Sequence, residues 1–464
     1  MYRAYVTRVT NIRPAENADR LNACEVFGNT TIIDKSITED DTIVYFPSDG
    51  QISVEFGEKN NLFRRKDDAG NNVGGFIDPV KRNITAIRLR GNRSDGLVLP
   101  LSCLNYCYAH GDASIELRVG DVIDGCVNGH EICQKYIPRT SKSARMSDGS
   151  NKTRKHKTPT APLFAEHADT EQLAYNLSVF KSGDEIEITL KMHGTSQRTG
   201  YLPVLKGYKR TLLDRLLRRE GKPVYDWGYV SGTRRVVLDS YEGGFYGDNQ
   251  FREQHSKVFE GKLNKGETVY YEVVGFTTSG QPIMGDASNK KLNDKEFIKQ
   301  YGETTRFSYG CDPRGGDRVM VEPGHMSPIT DFPQSDIYVY RMTMTNEDGF
   351  VVEYTPDLMR YRCEQMGVKC VPVMWKGIIE GKRIETGEIT PGEWIKNIAE
   401  GFYDGPDPIG KTHVREGVVV RILNRPKFTA YKHKNFSFKV LEGIIKDTAA
   451  APDMEEAQDV SEVG

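Results

Sequence analysis

The stretch DEIEITLKMHGTSQRTG, residues 184 to 200, changes character at Lys191. Up to that point polar and apolar residues alternate, which is typical of a half-buried β-strand. The alternation places Ile186, Ile188 and Leu190 on one face of the strand. Lys191 is therefore expected to project from the opposite face, at the strand end and into a cleft.

The loop after this lysine contains residue types that suit phosphate binding. Gly194 lets the backbone approach a ligand closely, and Thr195 and Ser196 supply hydroxyl donors. A lysine becomes nucleophilic only when burial or neighbouring cations lower the pKa of its ammonium group. The sequence offers such cations downstream, because YKHKNFSFK places Lys432 and Lys434 two residues apart on one side of a predicted strand.

Further short motifs follow this lysine along the chain. VYYEVVG contains Glu272, and DIYVYRMT contains Tyr340. REGVVVRI contains Glu416, and the pair Lys432 and Lys434 comes last. In this order the motifs resemble those of the covalent nucleotidyltransferases, which are the polynucleotide ligases and capping enzymes. Their pattern is a lysine-x-(acid or His)-Gly motif, a strand with a glutamate, a base-stacking aromatic residue, an E-G-hydrophobic strand and a final K-x-K.

Within this superfamily the details resemble RNA ligases. DNA ligases typically have K-x-D-G followed by arginine, whereas this chain has KMHGTS at 191–196, which is similar to the K-x-H-G-T form of some RNA ligases. The segments VTNIRPAENADRLNACEVFG, DTIVYFPSDGQI and ITAIRLRGNRSDGLVLPL look like the OB module that precedes the catalytic domain in one group of nick-sealing RNA ligases. The resemblance covers most of residues 1–445 in patches, and the insert at 201–225 departs from it.

The resemblance implies a reaction in three steps. Lys191 attacks the α-phosphorus of ATP to form lysyl-AMP, the AMP passes to an RNA 5′-phosphate, and an RNA 3′-hydroxyl displaces AMP. It also implies Mg²⁺ or Mn²⁺ as a cofactor, with Glu416 as the metal carboxylate, and Lys432 and Lys434 as partners of the phosphates. The residue chemistry agrees, because attack on a phosphoanhydride needs cations around the phosphoryl oxygens and the leaving pyrophosphate.

Other residues are expected to contact the nucleotide. Glu272 would accept hydrogen bonds from the ribose hydroxyls. Tyr340 would stack on adenine, although Tyr338 lies on the same face of the predicted strand. In VSGTRRV, Arg234 is the candidate for an arginine that contacts the AMP sugar or phosphate, and Arg235 is the alternative.

His193 and Gly194 belong to the motif around the predicted nucleophile and are expected to lie beside the nucleotide. His193 stands where relatives have an aspartate that helps to hold metal-bound water. A neutral imidazole cannot supply that negative charge. Either metal binding relies more on Glu416, or His193 contacts phosphate instead.

The composition indicates a water-soluble protein of more than one domain. The 464 residues include 63 Lys and Arg against 65 Asp and Glu. No stretch approaches the ~20 apolar residues of a membrane span, and YRAYVTRVT after Met1 is not an apolar signal region. We therefore expect no membrane partner and a cytoplasmic protein, or a viral protein that acts in the host cytoplasm. The 8 cysteines are scattered without C-x-x-C pairs, which predicts reduced thiols.

Turn signals and periodicity predict an α+β protein. Residues 1–134 read as an OB-like β-barrel that binds nucleic acid, and 135–162 as a basic linker that either contacts nucleic acid or is only solvated. Residues 163–448 read as a ligase-type, ATP-grasp-like nucleotidyltransferase domain of antiparallel sheets and helices, and 449–464 as a disordered acidic tail. Helices are predicted at TLLDRLLRRE and at TPDLMRYRCEQMG, the second opened by Thr355 and Pro356.

The expected partner is RNA with 3′-hydroxyl and 5′-phosphate ends, in a nicked duplex because the amino-terminal module resembles that of nick sealers. The protein is expected to act as a monomer. One alternative is a GTP-dependent capping-type enzyme, which the 30 residues after Lys434 disfavour because they leave no space for a carboxyl-terminal OB domain. The other is a catalytically idle nucleic-acid-binding protein on a ligase scaffold, which would not need the motif residues in this arrangement.

Overall fold

The structure is a computed structural model. It describes residues 2–66, 68, 70, 73–89, 91–108, 116–137, 159–168, 170–217, 221–238, 241, 246, 249–307, 309, 318–322, 325–328, 334–411 and 413–447. The predicted acidic tail and most of the predicted basic linker lie outside these residues. The chain divides into two compact units.

The first unit comprises residues 1–138, 288–303 and 436–447. Its strands are short: Ala4–Thr7, Thr10–Pro14, Leu21–Val26, Asn29–Asp34, Ile43–Phe46, Gly50–Ile52, Asn83–Ile84, Ile87–Leu89, Asn92–Ser94, Leu97–Pro100, Val122–Ile123, Cys126–Val127, His130–Glu131 and Cys133–Lys135. Its helices are Val54–Lys59, the 3₁₀ helices Leu101–Tyr108 and Asn289–Leu292, Lys295–Tyr301 and Phe436–Asp447.

The strands of the first unit form several small antiparallel sheets. A four-stranded sheet has the order Leu97–Pro100, Ile43–Phe46, Ala4–Thr7 and Val122–Ile123. Its inner face packs on a buried apolar core that includes Phe46, Phe56 and Leu104. The strands within the described part of this unit form open sheets rather than one closed barrel.

Two segments that the sequence assigned to the second domain belong to this first unit, namely 288–303 and 436–447. Lys439 on the last helix pairs with Asp95 at 2.5 Å, and Arg88 pairs with Asp294 at 2.7 Å. Phe436 lies under the guanidinium groups of Arg88 and Arg93. These contacts join residues far apart in the chain, so no local pattern in the sequence could reveal them.

The second unit comprises the described residues between 159 and 287 and between 304 and 435. Its strands are Glu171–Gln172, Glu185–Leu190, Thr195–Lys209, Lys222–Gly232, Glu267–Gly275, Thr304–Thr305, Arg318–Glu322, His325–Pro328, Ser335–Thr345, Val351–Glu353, Lys369–Cys370, Val373–Ile378, Gly417–Ile422 and Thr429–Lys434, with Ala287–Ser288 at the boundary along the chain. Its helices are Leu212–Leu216, Gln250–Lys257, Pro356–Met366, Lys382–Glu385 and Pro391–Tyr403, with 3₁₀ helices at Leu173–Tyr175 and Leu177–Val179.

Two larger sheets organise the second unit. A five-stranded sheet has the order Glu171–Gln172, Thr429–Lys434, Gly417–Ile422, Glu185–Leu190 and Val373–Ile378, and all but its first pair are antiparallel. A six-stranded sheet has the order Lys222–Gly232, Thr195–Lys209, Glu267–Gly275, Ser335–Thr345 and Val351–Glu353, and Lys369–Cys370 pairs in parallel with Ser335–Thr345. The α+β class with antiparallel sheets is therefore confirmed.

Several local predictions are confirmed in this unit. The alternating stretch before Lys191 is the strand Glu185–Leu190. The helix Pro356–Met366 begins at the Thr355 cap, whose side chain accepts from the backbone N–H of Leu358. The helix predicted at TLLDRLLRRE is described only as Leu212–Leu216, at the tip of two long strands.

Two other expectations concern the whole chain. No helix in the described part of the chain is long and apolar enough to cross a membrane. The 7 cysteines that the described ranges include are free thiols, in agreement with the prediction, and Cys311 lies outside those ranges.

Candidate active site

Three neighbouring strands of the five-stranded sheet bring the predicted catalytic residues together. Lys191 follows the strand Glu185–Leu190, and its backbone N–H donates to the carbonyl of Gly417 at 3.0 Å. Glu416 directly precedes the neighbouring strand Gly417–Ile422. In the ladder between that strand and Thr429–Lys434, Gly417 is paired with Lys434. Residues more than 200 positions apart in sequence therefore meet at one end of the sheet.

Glu416 is the centre of this charged cluster. Its Oε1 lies 2.7 Å from Lys191 Nζ and 3.3 Å from Lys434 Nζ, and its Oε2 lies 3.3 Å from His193 Nδ1. Its side chain is only 3% exposed. Burial disfavours the charged carboxylate, but the two lysine charges and the contact with His193 outweigh it and lower the pKa of Glu416. The carboxylate is therefore ionised at neutral pH.

A cavity opens beside this cluster, with about 960 Å³ of empty space that includes its open mouth. Six of its lining residues carry the predicted chemistry or follow the nucleophile motif, namely Lys191, Ser196, Arg234, Glu272, Tyr340 and Lys432. These residues come from five separate segments of the sequence, and the fold brings them to one cavity.

The sequence left two choices open, between Arg234 and Arg235 and between Tyr340 and Tyr338, and in each pair the structure places the two residues differently. Arg234 is half-buried and lines the cavity, whereas Arg235 is exposed. Tyr340 lines the cavity, and its hydroxyl lies 2.8 Å from Ser196 Oγ. Tyr338 is buried, and Lys369 Nζ lies over its ring at 5.7 Å. Tyr340 is therefore the better placed of the two tyrosines to contact a ligand in the cavity.

Gly194 is required by packing against the strand that carries Glu272. A Cβ added at Gly194 would lie 2.4 Å from the carbonyl oxygen of Val273, 2.7 Å from Val274 Cγ1 and 2.9 Å from Glu272 Cγ. The sequence suggested that this glycine lets the backbone approach a ligand. The close approach that the structure describes is instead to a neighbouring strand, and it fixes the distance between the lysine loop and Glu272.

His193 is buried in a polar and aromatic environment. Its ring contacts Phe307 at 4.3 Å between centroids, and its backbone N–H lies 3.4 Å from the hydroxyl of Tyr309. That hydroxyl donates to the carboxylate of Asp407 at 3.0 Å. Burial and the charge of Asp407 raise the pKa of Tyr309 well above its ordinary value, so the hydroxyl remains protonated. His193 is thus held in place on the Oε2 side of Glu416.

His167 is a cavity residue that sequence reasoning missed. Its ring meets Tyr340 edge-on at 5.0 Å and Phe428 at 5.8 Å, and its Nδ1 lies 3.3 Å from a guanidinium nitrogen of Arg341. Burial, and then the charges of Arg234, Arg341 and Arg198, lower the pKa of His167 well below 6.5. The ring is neutral at physiological pH and can exchange hydrogen bonds with a ligand. No motif marks it, because it lies before the first predicted strand of this unit.

The charged cluster has few groups that could ligate a metal. Within the described ranges no group of three or more His, Cys, Asp and Glu side chains could hold a metal ion. Mg²⁺ commonly uses only one or two carboxylates together with waters and substrate phosphates. Glu416, buried and ionised beside the cavity, fits that mode of binding.

The chain has the fold of an RNA ligase, since it aligns over 94% of its length with solved RNA ligase structures. No protein-family model and no curated protein sequence matches it.

Three of the similar structures are forms of the RNA ligase of Naegleria gruberi. A point mutant with ATP and manganese is 16% identical, with 94% of this chain and 97% of that chain covered and a TM-score of 0.51. The ligase with pyrophosphate gives the same identity and coverage with a TM-score of 0.53. Another point mutant, with AMP and manganese, is 15% identical over 94% and 97% with a TM-score of 0.52. At this identity the likeness establishes the fold.

Proposed function

We propose that the protein is an ATP-dependent RNA ligase that joins RNA 3′-hydroxyl and 5′-phosphate ends through lysyl-AMP and RNA-adenylate intermediates. One observation carries the proposal: Lys191 lies 2.7 Å from the buried Glu416, beside a cavity lined by Glu272 and Tyr340. A lysine beside a carboxylate and a second lysine suits covalent nucleotidyl transfer. The ATP, AMP and manganese in the similar structures support ATP and Mg²⁺ or Mn²⁺ as cofactors.

Each cavity residue then has a part in nucleotide binding. Tyr340 offers its ring to adenine, Glu272 accepts from the ribose hydroxyls, and Arg234 contacts the sugar or phosphate. Lys432 and Lys434 neutralise charge on the phosphoryl oxygens and on the leaving pyrophosphate. Lys191 Nζ forms its bond to the α-phosphorus as the bond to the bridging oxygen of pyrophosphate breaks.

Glu416 keeps Lys191 positioned and protonated before the nucleotide binds. A carboxylate at 2.7 Å stabilises the ammonium form. Lys434, at 3.3 Å from the same carboxylate oxygen, competes for that negative charge. Mg²⁺ or Mn²⁺, when bound by Glu416 and the phosphates, supplies further positive charge at this point. Once Glu416 is engaged by these other cations, the ammonium of Lys191 releases a proton to solvent and the resulting neutral amine is the nucleophile.

His193 is proposed to act on Glu416 rather than on phosphate. Its Nδ1 is 3.3 Å from Glu416 Oε2, which supports a role in orienting that carboxylate. With histidine in place of the aspartate of relatives, metal binding relies on Glu416. The alternative role, a direct contact with phosphate, predicts that His193→Asn would weaken ATP binding without changing metal affinity.

We also propose that residues 1–134 serve as an OB-type nucleic-acid-binding module and that the substrate is a nicked duplex with an RNA 3′-hydroxyl strand. Several exposed or half-buried basic residues on this module support the proposal, including Arg64, Lys81, Arg82 and Arg93. Phosphate contacts of this kind bind nucleic acid without sequence preference. The protein would act as a monomer.

The experiment is a sealing assay on duplexes with one nick. Four substrates combine an RNA or DNA strand on the 3′-hydroxyl side with RNA or DNA on the 5′-phosphate side, each with ATP or with GTP. The proposal predicts ATP-dependent sealing when the 3′-hydroxyl strand is RNA. Sealing of the nick, or covalent labelling of the enzyme, with GTP but not with ATP would favour the capping-type alternative. RNA binding without any nucleotide-dependent product would favour the idle binding protein.

A further inference from the structure

The insert at 201–225, which no motif explains, forms a β-ribbon that continues beyond the six-stranded sheet. Thr195–Gly200 pairs with the neighbouring strand Glu267–Gly275, and this register ends at the pair Gly200 and Thr268. Tyr201–Lys209 continues the ladder only with the strand Lys222–Gly232, as far as the pair Lys209 and Lys222. At ~3.3 Å per residue the free part of the ribbon is about 26 Å long.

One face of the ribbon is braced by stacked aromatic rings. Tyr201 and Tyr229, opposite each other in the ladder, stack at 4.7 Å with an interplanar angle of 21°. The ring centroids of Trp227 and Tyr201 are 5.9 Å apart, and Lys265 Nζ lies 5.2 Å from the centre of the Trp227 ring. A two-stranded ribbon on its own is only marginally stable in water. This brace holds its base in a fixed direction relative to the sheet.

The other face is covered by residues 159–164, which include the last residues of the predicted basic linker. Leu202 and Val204 pack with Phe164 in a small buried cluster. The backbone N–H of Leu205 donates to Thr160 at 2.8 Å, and the hydroxyl of Tyr225 donates to the carbonyl of Pro159 at 3.1 Å. The ribbon is therefore stabilised on both faces by packing. The segment that covers this second face directly follows the most basic part of the sequence.

The ribbon carries an excess of positive charge. Residues 201–225 contain seven basic side chains against two acidic ones. The basic residues are Lys206, Lys209, Arg210, Arg215, Arg218, Arg219 and Lys222, and the acidic ones are Asp214 and Glu220. Lys206, Lys209 and Lys222 are exposed.

Lys209 and Lys222 are directly opposite each other in the ladder. Like charges in that position destabilise a β-ladder. An anionic ligand would relieve this repulsion, and the exposed Lys206 on the same strand as Lys209 adds a third positive charge to the ribbon.

We propose that this ribbon binds the phosphate backbone of the RNA duplex at a distance from the reacting ends. The inference rests on the proposed function, and it adds a binding site that the ligase motifs do not include. Ser196 of the cavity and Lys209 near the tip lie on the same strand, 13 residues apart. At ~3.3 Å per residue they are about 43 Å apart along the strand. The ribbon thus contacts the duplex arm, and the contact is independent of base sequence.

The test compares two double variants of the full chain. Lys209→Gln with Lys222→Gln removes the opposed pair, and Lys382→Gln with Arg383→Gln removes two exposed charges on the short helix Lys382–Glu385 of the same unit. Three quantities are measured: lysyl-AMP formation by intact mass, the Kd for a nicked RNA duplex at several salt concentrations, and the urea midpoint of unfolding.

The ribbon variant is expected to form lysyl-AMP at the wild-type rate and to unfold at an equal or higher urea concentration. Its Kd should rise about five- to tenfold near 0.15 M salt, and the slope of log K against log salt should fall by about one to two. The control variant should match the wild type in all three. On a duplex with arms of about six base pairs, too short to reach the ribbon, the ribbon variant should lose its defect.

An unchanged Kd and salt slope in the ribbon variant, on the long duplex, would overturn the proposal. So would a change in oligomeric state by light scattering without a change in RNA binding, which would assign the ribbon and its exposed Leu212 and Leu216 to contact with a second copy. Failure of the proposed function would look different, because the wild type itself would then form no lysyl-AMP.

Discussion

Gly194→Ala should damage the site through a clash that the structure allows us to size. The added Cβ would lie 2.4 Å from the carbonyl oxygen of Val273, whereas ordinary contacts begin near 3.4 Å. The lysine loop must therefore move away from the Glu272 strand by about 1 Å, because neither backbone segment can rotate out of the way. Overpacking of this kind costs about 1–3 kcal/mol of unfolding free energy. A displacement of about 1 Å between reacting groups costs about 100-fold in rate.

The matched control is Gly401→Ala, in the helix Pro391–Tyr403. A Cβ at Gly401 meets nothing within 4 Å, so this change should stabilise the protein by up to about 0.5–1 kcal/mol through the higher helix propensity of alanine. Urea unfolding gives the stabilities, and the rate of AMP incorporation by intact mass gives the activity. If Gly194→Ala reacts and unfolds like the wild type, the close approach of the loop to the strand does not define the site.

Three further changes test the site and the pH dependence. Glu416→Gln removes the carboxylate that positions Lys191 and that is proposed to hold the metal, so the rate of lysyl-AMP formation should fall at least about 100-fold; a wild-type rate would exclude its proposed role. Tyr340→Phe keeps the ring but loses the 2.8 Å hydrogen bond to Ser196 that holds the ring at the cavity. A hydrogen bond contributes about 1 kcal/mol, so the less well positioned ring should raise KM for ATP by up to about fivefold, and a lost kcat instead would contradict a binding role. Burial lowers the pKa of His255 to about 4, so the folded protein holds this ring neutral. The stability that the neutral ring contributes is complete above pH 6.5 and is lost as the pH falls from 6.5 toward 4. His255→Gln should make the unfolding free energy from urea titrations less dependent on pH over this range, and an unchanged pH dependence would contradict the prediction.

The charged half of the site could be predicted from the sequence because its residues follow strand patterns. Alternation before Lys191 fixed both the strand and the side on which the lysine projects. The K-x-K spacing likewise places Lys432 and Lys434 on one side of the strand Thr429–Lys434, with the buried His433 on the other. These are local properties, and the two-residue period of a strand is enough to determine them.

The remaining features depend on contacts between distant parts of the chain. The choice of Tyr340 over Tyr338 depends on a register shift opposite Tyr270 and Tyr271, which alternation cannot reveal. His167 reaches the cavity through contacts with rings and arginines from other segments. The helix Phe436–Asp447 continues the chain two residues after the K-x-K strand but belongs to the first unit. None of these leaves a periodic signal in the sequence.

The most direct test of the central claim is the intact mass of the wild type and of Lys191→Ala after incubation with ATP and Mg²⁺, each first freed of bound nucleotide. Covalent transfer to Lys191 predicts a gain of one AMP, roughly 329 Da, in the wild type alone. No gain in the wild type, or an equal gain in the variant, would contradict the assignment of Lys191 as the nucleophile.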